Sequence, residues 1–241
     1  MTRVPVDRVY DTAVKQLDRQ EAKGKGQGVS DEPLASDRSP RVPLAGVTVF
    51  LDRDGTLNPD PGYIRSPDQF ELFPGVAQAL AKLVQAGARL IVVTNQSGVA
   101  RGLFSIGDLE AIHAKLTRLL EEAGAPLDAL YVCPHHPDDA CTCRKPNTGL
   151  IDQAVRERTV DLSRSYLIGD KVSDVELAKR VGSRSILVTT GAVIPQQVEG
   201  LKASGLAPDW VVSSFDEAAE WVLWDARRHP VGMGGHQEVS T

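Results

Sequence analysis

At 241 residues, with 41% hydrophobic and 24% charged side chains, the chain can bury one sizeable core and keep a polar surface. A net charge of −5 gives no general attraction for nucleic acid or an anionic membrane, so neither is an expected partner. No apolar run reaches the length of a bilayer span and the N-terminus lacks the apolar segment of a signal peptide, so the expected location is cytoplasmic.

Residues 1–43 read as a polar extension, largely disordered, in which Val6 to Leu17 offers one weak amphipathic helix. Val47 to Leu51 is then an uncharged run rich in β-branched residues, as in a strand buried on both faces. It stops on Asp52-Arg53-Asp54-Gly55-Thr56. A loop rich in Pro, Asp and Gly follows, from Asn58 to Phe73. From Gly75 to Ala86 the apolar residues Val76, Leu80, Leu83 and Val84 fall at helical spacing, with Gly87 as a stop. Leu90 to Thr94 predicts a second strand, running into Asn95-Gln96-Ser97-Gly98. Ser105 to Glu122 predicts a helix with Leu109, Ile112, Leu116 and Leu119 on its inner stripe. The remaining strands are expected at Ala129–Val132, Ser165–Ile168, Ser185–Val188 and Trp210–Val212. Helices are expected from Leu150, over Val175–Val181 and over Phe215–Trp224. The domain thus runs over 44–226, leaving 227–241 as a flexible tail.

Short apolar strands alternating with helices predict an α/β fold with a mainly parallel sheet. Such sheets place ligands at the carboxyl ends of their strands, and there the rim would gather Asp52, Asp54, Thr94, Asn95 and Asp170. Carboxylates held that close repel unless a cation lies between them, which calls for a divalent metal. No Gly-x-x-x-x-Gly-Lys-Ser/Thr loop and no Gly-x-Ser-x-Gly elbow is present, which argues against a P-loop NTPase and an α/β hydrolase. The cysteines all fall in Cys133-Pro-His135-His136-Pro-Asp-Asp-Ala-Cys141-Thr-Cys143. Three thiolates and an imidazole make a structural zinc set, with His136 as an alternative to His135. Free thiols or a redox disulfide remain the other readings of the cysteines. Trp210, Trp221 and Trp224 read as packing residues, and His113 as surface or core.

Asp52-Arg53-Asp54-Gly55-Thr56, the Thr94 strand end, Lys145 and Gly169-Asp170-Lys171-x-x-Asp174 occur in order. Together they resemble the four motifs of the haloacid dehalogenase (HAD) superfamily of phosphohydrolases. The resemblance implies a three-layer Rossmann-like fold with a minimal cap. It also implies Asp52 as nucleophile, Asp54 as acid/base, and Thr94 and Lys145 as holders of the phosphoryl group. Mg²⁺ would sit on Asp52, Asp170 and the backbone of Asp54, with Asp174 supporting that shell. The cysteine loop is similar to that of the subgroup containing heptose-bisphosphate and histidinol-phosphate phosphatases. There it implies Zn²⁺ on Cys133, His135, Cys141 and Cys143. Substrate contacts are implied for Asp60, Gly62, Tyr63, Thr94, Asn95, Gln96, Ser97, Arg144, Lys145 and Lys171. The expected partner is a small phosphorylated metabolite, most simply the heptose bisphosphate, acted on by a monomer. The short stretch between His135 and Cys141 is shared with the histidinol enzymes. A zinc-stabilised module that binds phosphosugars without catalysis is the rival from another class.

Overall fold

The computed structural model describes residues 43–189, 195–203 and 205–229. The expectations for the N-terminal extension, including the Val6–Leu17 helix, and for the tail past residue 229 lie outside the described residues.

Strand β1 (Thr48–Leu51) is wholly buried. Its alternation sends Val49 and Leu51 into one hydrophobic layer and Phe50 into the other. Each such side chain contributes about 1.5–3 kcal/mol of burial. The strand lies between β2 (Arg89–Asn95) and β4 (Tyr166–Gly169), so Phe50 pairs with both Ile91 and Leu167. With β3 (Ala129–Cys133), β5 (Arg184–Val188) and β6 (Trp210–Val212), the sheet is fully parallel in the order β3-β2-β1-β4-β5-β6. The chain builds outward from β1 in one direction and then returns to build in the other. The loops after β1 and β4 therefore part at the sheet centre and leave a crevice there.

One layer is formed by α1 (Val76–Gln85), α2 (Ile106–Glu122) and α6 (Phe215–Arg228), joined through Leu80, Leu83, Ile112, Leu116 and Val222. The other holds α3 (Gly149–Glu157) and α4 (Val172–Val181), with Leu150, Ile151, Ala154, Leu177 and Ala178 turned inward. This is the expected three-layer α/β arrangement. Only a 3₁₀ turn, Pro67–Gln69, interrupts the connection from β1 to α1, so the described residues contain no inserted cap domain there. No helix among them is long and apolar enough to cross a membrane.

Three details differ from the sequence reading. The inner stripe of α2 ends on Leu120, with Leu119 only partly buried. Three turns are about 11 residues, which returns the face of Leu109 to position 120. Helix α5 (Pro195–Ala203) was not anticipated. Gly200 weakens its helix propensity, and it packs through Val198 and Leu201 on Val175 and Leu187. Helix α6 continues to Arg228, so regular structure passes residue 226.

At the opposite end of the sheet from the β1 loop, the Tyr166 hydroxyl donates to buried Asp225 Oδ2 at 2.7 Å, and Arg184 pairs with the same carboxylate. Trp221 stacks on Trp210 at 5.4 Å and meets Tyr166 edge-on at 5.9 Å, a packing role as expected. Tyr166→Phe should cost about 1–2 kcal/mol, because a buried charge loses a donor. Urea unfolding monitored by circular dichroism checks this; an unchanged midpoint would refute it.

Candidate active site

Parallel pairing carries past the end of β1, where the Asp52 N–H donates to the Ile168 carbonyl at 2.9 Å. That fixes Asp52 beside the end of β4, which delivers Asp170. Gly55 turns the chain with φ +87°, and a Cβ there would collide with the Asp170 carboxylate. Two loops thus approach closely enough to face one acidic side chain toward another.

Lys145 joins the acidic residues. Its Nζ lies 2.8 Å from Asp52 Oδ1 and 2.7 Å from Asp174 Oδ1, all three side chains being buried. Burial works against the lysine's charge, but Asp174 and Asp52 outweigh it and hold its pKa above the usual value. Asp174 belongs to the first turn of α4, and its Oδ2 accepts from the Lys171 N–H at 3.1 Å. Lys145 is itself fixed from β2. Asn95 Nδ2 donates to the Lys145 carbonyl at 3.2 Å, while Asn95 Oδ1 accepts from the Lys145 N–H at 3.0 Å. Both ends of the Asn95 amide therefore hold the backbone of the lysine.

Asp54 has a different environment. Arg53 grips its carboxylate through Nε at 3.0 Å and Nη2 at 2.8 Å, Asn58 Nδ2 donates at 2.9 Å, and Gln96 Nε2 donates at 2.7 Å. Burial alone would push this carboxyl up, but the Arg53 charge and these hydrogen bonds bring its pKa below the usual range. Gln96 Nε2 also donates to Thr94 Oγ1 at 2.9 Å, leaving the threonine hydroxyl proton to be directed elsewhere.

Asp52, Asp170 and Asp174 present ligand oxygens within 4.8 Å of one another. Burial, and then the Asp52 charge, push the Asp170 carboxyl up to about 7; burial pushes Asp174 to about 6 against the pull of Lys145. Asp170 Oδ2 is buried without a hydrogen-bond partner. An orphaned carboxylate oxygen beside a second carboxylate fits an oxygen-seeking divalent cation.

A cavity of about 240 Å³ opens over these groups. It is lined by Asp52, Asp54, Asp60, Gly62, Tyr63, Thr94, Asn95, Gln96, Ser97, Arg144, Lys145, Lys171 and Ser173, so each residue expected at a catalytic or substrate position reaches it. Lys171 bridges to Asp60 at 2.9 Å, and its Nζ lies 3.4 Å from the Asp54 carbonyl. Sequence reasoning missed Ser173, which carries no signal of its own, and the buried clamp Arg53. For Arg53 the signal was a lone positive charge between two aspartates at the end of a buried strand.

Cys133, His135, Cys141 and Cys143 converge at the end of β3. The Cys133–Cys141 and Cys141–Cys143 sulfur separations are both 3.6 Å, and His135 Nδ1 lies 3.6 and 3.2 Å from Cys133 and Cys143. Sulfurs 3.6 Å apart are not disulfide-bonded. They are close to the edges of a tetrahedron about 2.3 Å in radius, the size of a zinc–thiolate site. Hydrogen bonding between the two thiols draws Cys143 below its ordinary value and pushes Cys133 above it. His136 instead caps the turn Pro137–Asp139, its Nδ1 accepting from the Asp138 N–H, which leaves His135 in the cluster.

Acidic strand ends on a parallel sheet, with a buried lysine joining Asp52 to the helix-borne Asp174, are the arrangement of a HAD-class hydrolase, and a HAD-hydrolase-like family profile matches residues 142–218. A D-glycero-D-manno-heptose-1,7-bisphosphate 7-phosphatase from Thermosynechococcus vestitus is 42% identical over 185 residues, covering 72% of this chain and 94% of that one. The D-glycero-beta-D-manno-heptose-1,7-bisphosphate 7-phosphatase of Escherichia coli K12 is 39% identical over 69% of this chain and 88% of its own length. The crystal structure of a D,D-heptose 1,7-bisphosphate phosphatase from B. bronchiseptica, complexed with magnesium and phosphate, superposes with a TM-score of 0.66. That match has 39% identity and covers 74% of this chain and 98% of the other. The chain belongs to the heptose-1,7-bisphosphate 7-phosphatase family of HAD phosphatases.

Proposed function

We propose that this chain removes the 7-phosphate of D-glycero-D-manno-heptose 1,7-bisphosphate through a phosphoenzyme on Asp52. The observation that carries this reading is the contrast between two carboxylates in one cavity. Asp52 shares a lysine with Asp174, whereas Asp54 is fixed by Arg53, Asn58 and Gln96. Carboxylates in such different surroundings suit different tasks. An oxygen of Asp52 attacks phosphorus, and the bond from phosphorus to the sugar oxygen breaks. Asp54 gives its proton to that oxygen, then takes one from the water that attacks the aspartyl phosphate and frees inorganic phosphate. An arriving phosphate dianion adds negative charge beside Asp54, and this raises its affinity for the proton it must carry. Lys145 and the Thr94 hydroxyl hold the phosphoryl oxygens.

Mg²⁺ would be held by Asp52, Asp170 and the Asp54 carbonyl, and when bound it supplies charge neutralisation for the transferring group. Zn²⁺ on Cys133, His135, Cys141 and Cys143 would be structural, fixing the loop that leads into Arg144 and Lys145. The rest of the wall, from Asp60, Gly62 and Tyr63 to Gln96, Ser97, Arg144 and Lys171, would meet the sugar and its second phosphate. Arg144 Nη1 is buried without a hydrogen-bond partner, as suits a group awaiting an anion. This cationic wall favours a bisphosphate over histidinol phosphate, whose own amine is positive. We place the enzyme in the cytoplasm, acting as a monomer through its 44–226 domain.

With Mg²⁺ present, kcat/KM for the heptose bisphosphate should exceed that for histidinol phosphate by at least about 100-fold, the difference of roughly 3 kcal/mol that a matched charge site supplies. A preference for histidinol phosphate would overturn the substrate assignment. Turnover of neither, with metal occupancy verified, would favour a binding module.

A further inference from the structure

Arg53 is 1% exposed, and neither it nor His113 lines the cavity. Its guanidinium holds both oxygens of Asp54, Oδ1 and Oδ2 each 2.8 Å from Nη2, and lies 5.9 Å from the Phe70 ring centroid. The other edge of the fork, Nη1, is 3.0 Å from Nε2 of His113, which α2 brings in from 60 residues along the chain. A guanidinium only donates, so Nε2 must accept, and His113 stands as the neutral tautomer with its proton on Nδ1. Burial, and then the Arg53 charge, hold its pKa down at about 3, so it keeps this form at any working pH.

We infer that His113 is a positioning residue for the proton donor: by accepting from Nη1 it fixes the guanidinium plane whose opposite edge aims the Asp54 carboxylate. This rests on the reading of Asp54 as acid/base in the proposed function. Arg53 alone could swing about its side-chain torsions; with an acceptor at one end and a carboxylate at the other, the plane has one orientation. Proton delivery is sensitive to placement, and displacement by about 1 Å can cost up to about 100-fold.

The test uses leaving groups that differ in their need for a proton. A sugar alkoxide must be protonated as it leaves, whereas 2,4-dinitrophenolate leaves unaided. In the full chain loaded with Mg²⁺, His113→Leu should lower kcat/KM for heptose bisphosphate about tenfold. For 2,4-dinitrophenyl phosphate kcat/KM should change by less than about twofold, since it reports phosphoenzyme formation, in which this leaving group needs no proton from Asp54. His113→Gln, whose amide oxygen can accept from Nη1, should restore the first value. Asp54→Asn serves as reference and should show the same selectivity more strongly. Equal loss on both substrates, or none, with a selective Asp54→Asn, overturns the role of His113 alone. An unselective Asp54→Asn overturns the acid assignment and the inference with it. Should His113→Leu fail to fold, His113→Met carries the same expectations.

Discussion

Asp52→Asn should lower turnover at least about 10³-fold while the protein stays folded and gains stability in Mg²⁺-free buffer. The loss follows from chemistry: an amide cannot attack phosphorus, and the rest of the site can only hold the substrate. The gain follows from charge. Three buried carboxylates, Asp52, Asp170 and Asp174, share the buried cation Lys145, which contacts two of them. Removing one negative charge relieves part of that repulsion, and Lys145 keeps Asp174 at 2.7 Å. A melting temperature raised by up to a few degrees, for about 1 kcal/mol, is expected alongside the dead enzyme. Steady-state phosphate release and thermal unfolding check the two parts, and acid quench should trap a labelled phosphoprotein with Asp52 in place and none after Asp52→Asn. Retained turnover would sink the nucleophile assignment.

Removing zinc from the proposed site on Cys133, His135, Cys141 and Cys143 should have the second large effect. Among residues 133–143 only Cys133 and Pro134 are buried, so this loop has almost no apolar core to keep it in place. The affinity of a structural zinc set is of order 10 kcal/mol in small peptides, far above what the loop's own hydrogen bonds supply. Arg144 and Lys145 come next in the chain, and Lys145 reaches Asp52 only while its backbone is held. Chelation, or Cys143→Ser, should lower the melting temperature by several degrees and raise KM about tenfold or more in saturating Mg²⁺. Elemental analysis must show the zinc gone. Native kinetics and melting after verified loss would mean that the loop holds itself.

Much of the fold was legible because its signals are local. The uncharged run of β1 and the stripes of α1 and α2 state their structure through period alone, and only residues at the margins were misplaced. Helix α5 escaped because Gly200 and its few apolar residues leave no stripe to read; its packing on Val175 and Leu187 makes it. In the site, the acidic strand ends, Thr94 and Lys145 were found by type and order. The couplings among them were not, since Gln96 reaching Asp54 spans 42 positions and Asn95 reaching Lys145 spans 50.

The sequence by itself determined the parallel α/β architecture, the set of ionisable groups on its rim, and a cysteine–histidine cluster with zinc-like spacing. These depend on residue type and short-range pattern, which the chain displays directly. Only the tertiary structure decided how the charges are divided. It gave Lys145 to Asp52 and Asp174, gave Arg53 and Gln96 to Asp54, and set His113 behind Arg53. Electrostatic partnership depends on distance and burial, and both are fixed only when segments far apart in the chain pack against the same strand ends.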